Sequence, residues 1–138
     1  MTAQEFCMQY EEANRRVKRL EIEYMKEMEL IDAVRSTADY DELPKSRSLR
    51  KTTEEKAIRL ADKAMALNDA RLETIKIRQE VFDVINQVEG DEGDALYHRY
   101  IMLRKWVEVC VIMNYSWSGI HKLKRRAFEQ VNNILKCG

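Results

Sequence analysis

Within ten residues near its C-terminal end the chain carries Trp117, Ser118, His121, Lys122, Lys124, Arg125 and Arg126, with Lys105 a short way upstream. Their shared chemistry is the binding of a polyanion. Lysine and arginine neutralise phosphates, while serine, histidine and lysine can hydrogen-bond to the edges of bases. The arrangements that catalysis needs do not accompany them. No nucleophile stands beside a base, no glycine loop is built to cradle a phosphate, and no carboxylates cluster, so an enzyme is not expected and no cofactor is implied. His98 and His121 lack partners at metal-ligand spacing. Cys7, Cys110 and Cys137 are far apart and include no CxxC, so neither a zinc site nor a disulfide framework is expected. His98 is read as structural, His121 as a candidate base contact, and Glu108 as a surface acid.

The charge distribution points the same way. Over the whole chain 24 basic residues balance 24 acidic ones. From Gly93 onward, eight basic residues face three acidic ones, a net of +5, which leaves −5 for the first 92 residues. A basic end on a neutral chain is an electrostatic footprint for a polyanion.

Three short helices are expected to position these side chains. The first covers Asp94 to about Met102, Leu103-Arg104-Lys105 connects it to the second, and Trp106 to Met113 forms the second. Asn114-Tyr115-Ser116 makes a tight turn, and Trp117 to about Leu135 forms the third. Asn114 suits a left-handed helix end and Ser116 an N-cap. Trp106, Val109, Cys110 and Met113 share one face of the second helix. Ile120, Leu123, Ala127, Val131 and Ile134 share one face of the third, with Tyr115 plugging the junction. A helix of about two turns, a three-residue turn and a longer basic helix make the helix-turn-helix pattern. In it Trp117, Ser118, His121, Lys122 and Arg125 point outward, Ser118, His121 and Lys122 reach bases, and Lys105, Lys124, Arg125 and Arg126 meet phosphates.

Ahead of this tail, two long amphipathic helices are expected. One runs from about Ala3 to Arg35 on a seam of Tyr10, Ala13, Val17, Leu20, Tyr24, Ile31 and Val34, with Glu27 breaking the seam and Met28 filling the gap. The other runs from about Thr53 to Val88, opened by a capping box of Thr52 and Glu55. Its first stripe is Ile58, Ala61, Met65, Asn68, Leu72, Ile75, Gln79 and Phe82. A flanking stripe adds Leu60, Ala64, Leu67, Ile77, Val81, Val84, Ile85 and Val88. The stretch between them, about 36–51, reads as an exposed loop around Pro44. The expected architecture is therefore all-α: a coiled-coil-like antiparallel hairpin over 1–90, then a small three-helix domain over 93–138. Glu89-Gly90-Asp91-Glu92-Gly93 forms the boundary. Asn68 and Gln79 are polar interruptions that can fix register, and the hairpin offers a seam for pairing with a second copy.

The run WVEVCVIMNYSWSGIHKLKRRAFEQV resembles region 4 of bacterial sigma factors, with apolar residues at the Ile120, Leu123, Ala127 and Phe128 positions. The whole arrangement resembles more closely a group of phage and prophage transcriptional regulators, the ArpU-like family. That group is similar in joining a long helical pair to a sigma-like tail, with a Tyr-Ile matching Tyr100-Ile101 and a Tyr-Ser turn matching Tyr115-Ser116. Asn114 stands where the turn usually has glycine, and Cys110 where a small Gly or Ala is usual. The resemblance implies sequence-specific binding of double-stranded DNA, base contacts at Trp117, Ser118, His121 and Lys122, control of transcription, and contact with RNA polymerase.

Two other readings stay open at this level: a helical protein-interaction module whose tail only docks, and a phage DNA-packaging or assembly subunit without sequence preference. Scattered free cysteines suggest a reducing, cytoplasmic setting. The N-terminus lacks the basic and apolar regions of a signal peptide. No run approaches the ~20 apolar residues that span a bilayer, so a membrane is not among the expected partners.

Overall fold

A computed structural model describes residues 1–38 and 47–137, with side chains for 1–33 and 53–137. The fold is all-α. The elements are α1 (Ala3–Ala38), α2 (Arg47–Ile85), α3 (Gly90–Leu96), a π turn (Tyr97–Ile101), α4 (Trp106–Met113) and α5 (Trp117–Cys137). Among the described residues no helix is long and apolar enough to cross a membrane.

The connection between α1 and α2 is shorter than its composition suggests. Residues 36–38 and 47–51 are helical, and the central part around Pro44 lies outside the described residues. Thr52 is inside α2, which begins five residues earlier at Arg47, so the Thr52–Glu55 pair does not open the helix. A capping box does open α1. The Glu5 amide donates to Thr2 Oγ1 at 3.2 Å, and the Thr2 amide donates to Glu5 Oε2 at 3.1 Å. Each side chain satisfies a donor that the first turn leaves free.

The chain divides into two compact units, residues 15–72 and residues 1–14 with 73–138. The first is a two-helix hairpin. Its buried residues are Val17, Leu67 and Ala70, flanked by Leu20 and Tyr24. Glu27 does not leave a gap for Met28 to fill. Its side chain is buried on the seam and reaches Lys63 Nζ at 3.4 Å and Arg59 Nη1 at 3.8 Å, whereas Met28 faces solvent. A buried carboxylate must be paired, and the two cations opposite supply the pair. Glu21 meets Arg71 at 2.9 Å and Glu23 meets Lys63 at 3.6 Å, so residue numbers rise on one helix as they fall on the other, an antiparallel arrangement.

These pairings also decide which face of α2 meets α1. It is the flanking stripe, with Leu67 buried and Leu60 and Ala64 partly so. The other stripe is turned to solvent: Ile58, Met65 and Leu72 are 62, 66 and 59% exposed.

The second unit is built around Cys7, Val81, Ile85, Leu96, Tyr100, Ala127 and Val131, drawn from α1, α2, α3, the π turn and α5. Tyr100 meets Trp106 at 6.1 Å and Phe128 at 6.0 Å between ring centroids, and Phe82 meets Tyr97 edge-on at 6.3 Å. Arg99 reaches back to Glu11 at 3.1 Å and lies over the Tyr100 ring. Burial pushes the Cys7 thiol up to about 12, because a thiolate there would be desolvated.

The glycine-rich stretch after α2 is a corner rather than a slack linker. Helix α2 stops at Ile85, and α3 starts at Gly90 instead of Asp94. Gly93 lies within α3 so close to the preceding turn that a Cβ there would sit 2.0 Å from the Val88 carbonyl oxygen. Only glycine allows that approach. The helix expected to continue to Met102 widens at Tyr97 into a π turn, with the Met102 amide bonded to the Tyr97 carbonyl at 3.0 Å. The extra residue brings Tyr100 and Ile101 both into the core. Leu103 then takes a φ of 58°, which ends the turn and swings the chain towards α4.

Candidate nucleic-acid interface

The α4–α5 corner follows from its local chemistry. Asn114 adopts φ 59° and ψ 47°. The Tyr115 amide bonds to the Cys110 carbonyl at 2.9 Å and the Asn114 amide to the Val111 carbonyl at 3.4 Å. This crossed pair of bonds is the Schellman ending that a left-handed residue makes possible, and asparagine tolerates it where most side chains do not. Ser116 then caps α5: its Oγ accepts from the Gly119 amide at 3.1 Å, and its carbonyl from the Ile120 amide at 2.9 Å. A Cβ on Gly119 would lie 3.0 Å from that same Oγ, so glycine keeps the cap clear despite its cost to helix propensity.

A small core holds the two helices together. Val109, Ile120, Leu123 and Ala95 are buried in it, with Trp106, Cys110, Met113 and Tyr115 packed around them. These are the faces that the apolar spacing predicts, and α3 adds Ala95. Tyr115 plugs the junction and also donates its hydroxyl to Asp91 Oδ2 at 2.5 Å. That bond, with desolvation second, raises the phenol above its ordinary value.

With Ile120, Leu123, Ala127 and Val131 facing inward, the 3.6-residue period turns Ser118, Lys122 and Arg125 to the opposite side, with His121 beside them. All four are exposed. Trp117 is 55% exposed and meets the His121 ring edge-on at 4.5 Å. Lys105 is exposed at the start of α4. The two remaining cations are engaged within the fold. Lys124 Nζ lies over the rings of Trp106 at 5.3 Å and Phe128 at 5.8 Å. Arg126 Nε faces Glu92 at 3.5 Å, with its side chain 60% exposed. The exposed face thus carries Ser118, His121, Lys122 and Arg125, with Lys124 and Arg126 on its flanks.

The same periodicity extends this face beyond the residues singled out in the sequence, to Glu129, Asn132, Asn133 and Lys136, all exposed. Counting on from Arg125 by threes and fours reaches them. The roles of Asp91 and Glu92 had no such signal, because they lie 24 and 34 positions from the residues they hold. Next to the face, α4 exposes Val107 (62%) and Val111 (80%) one turn apart. Among the described residues no group of three or more His, Cys, Asp or Glu side chains is placed to hold a metal. Comparison with known proteins finds no match to a family profile, a curated protein or a solved structure.

Proposed function

We propose that the chain is a sequence-specific DNA-binding transcriptional regulator of phage or prophage type, with α4 and α5 serving as a sigma-region-4-like helix-turn-helix. The observation that carries this reading is the exposed face of α5, where Ser118, His121, Lys122 and Arg125 follow directly on a three-residue turn. A helix held at such a turn enters the major groove through its first turns, which is where Ser118, His121 and Lys122 stand. Ser118, His121 and Lys122 read base edges; Lys122, Arg125 and Lys105 neutralise phosphates. The amides that open α5 add a site for a backbone phosphate. Contact with RNA polymerase belongs to the same reading, and so does a cytoplasmic setting.

Selection of bound fragments from random duplexes, followed by anisotropy titration of the enriched sequence, tests this. The expected outcome is an enriched motif whose binding weakens with rising salt and is lost in Lys122→Ala/Arg125→Ala. Binding with no enriched motif would favour the packaging or assembly subunit. A second reading, a tail that docks on protein, draws on Val107 and Val111, two large aliphatic side chains left in solvent on α4. It requires that no duplex bind at moderate salt.

A further inference from the structure

Helix α2 has two apolar faces, and α1 covers one of them. The uncovered face consists of Ile58, Met65 and Leu72, seven residues apart, with Ala61 and Asn68 at the intervening positions. A seven-residue repeat on a helix is complementary to another helix wound around it, because only a supercoiled partner keeps that stripe covered from turn to turn. All three large side chains are more than half exposed.

We propose that this stripe pairs with the same stripe of a second copy of the chain, the two α2 helices running parallel with Asn68 opposite Asn68. Three features select this occupant and this direction. Asn68 is the single polar residue among the five, and a side-chain amide both donates and accepts, so it is satisfied by its own copy across a two-fold axis. In the parallel register Asp62 and Asp69, which flank the stripe on one side, face Ala57 and Ala64, which flank it on the other. Antiparallel pairing would set Asp62 against Asp69 and Asn68 against Met65, opposing like charges and leaving an amide on a thioether. Arg71, the nearest flanking cation, is drawn onto Glu21 of its own chain at 2.9 Å, away from the partner's Lys76.

The size of the stripe sets the strength of the pair. At roughly 60–120 Å² per large aliphatic side chain, three of them cover a few hundred Å² per copy. That is below the ~800 Å² per partner of a standard stable interface. The pair is therefore concentration-dependent, with half-association at micromolar protein.

Sedimentation of the full chain across micromolar concentrations tests the pairing independently of any nucleic acid. The wild type is expected to shift from monomer to dimer mass. Met65→Glu/Leu72→Glu is expected to stay monomeric with unchanged helical circular dichroism, since neither side chain is buried within one copy. Direction is read by oxidising Asn68→Cys in a Cys137→Ser background, which is expected to yield a covalent dimer that Cys137→Ser alone does not. A wild type that remains monomeric throughout, or a dimer untouched by the two glutamates, overturns the proposal. A crosslink that forms only between Met65→Cys and Asn68→Cys chains overturns the parallel register.

Discussion

The two units bury different things. In the unit of residues 1–14 and 73–138, aromatic and aliphatic side chains from five elements close on one another, and Cys7, Leu96 and Val131 are fully buried. In the hairpin of residues 15–72, Val17, Leu67 and Ala70 are the buried apolar residues, and ion pairs run alongside them. Most helical stability comes from packing an amphipathic face, so the first unit specifies its own structure, whereas the hairpin is held by a thin seam and by charges that salt screens. The candidate interface belongs to the well-packed unit, as a site that must present side chains at fixed positions requires.

The sharpest way to break this contrast is Gly93→Ala. The added Cβ meets backbone oxygen at 2.0 Å, and neither partner is a flexible side chain. The expected loss is about 4 kcal/mol or more, visible as collapse of the cooperative thermal transition. Next come matched truncations. Leu96→Ala, at 0% exposure, is expected to cost about 4 kcal/mol in denaturant unfolding, and Leu67→Ala in the hairpin about 2 kcal/mol, since its thinner surroundings can close over the gap. Equal costs would erase the distinction between the units.

Alkaline pH sharpens it further. The Cys7 pKa is raised in the folded state from an ordinary 9.0 to about 12. The resulting stability is fully present below pH ~9 and falls between pH ~9 and ~12 as the unfolded thiol ionises first. Cys7→Ala is expected to flatten that part of the pH–stability curve. Native Cys7 should also resist a thiol reagent that modifies the exposed Cys137. The smallest effect belongs to the hairpin seam. Glu27→Leu replaces a paired, buried carboxylate by an apolar side chain and should shift stability by no more than about 1 kcal/mol in either direction, because the ion pair roughly offsets its own desolvation.

Where local chemistry decides the structure, the residues are readable in order. Asn114, Ser116 and the apolar spacing of Trp106 to Val131 mark α4, the turn and α5 almost to the residue, because each signal acts within one or two turns. Two competing stripes on α2 are a different problem. Both are apolar and both have helical spacing, and the choice rests on Glu27 finding Arg59 and Lys63 across the hairpin, more than thirty positions away. Gly90 and Gly93 mislead for another reason: glycine marks both slack chain and close approach, and the Val88 carbonyl that separates the two is not visible in a pattern. The π turn at Tyr97 has no signature of its own. On the candidate interface, periodicity alone places Ser118, His121, Lys122 and Arg125 together. That Lys124 rests on Trp106 and Arg126 faces Glu92 depends on tertiary packing.

The central claim is that the outer face of α5 holds duplex DNA, and the salt dependence of binding tests it most directly. Anisotropy titrations of one selected duplex over a range of salt, for the wild type and for Lys122→Ala/Arg125→Ala, should give a log–log slope shallower by about 2 in the variant, with weaker binding throughout, as each lost phosphate contact removes about 0.9 from the slope. Equal slopes and equal affinities for the two proteins would contradict the account.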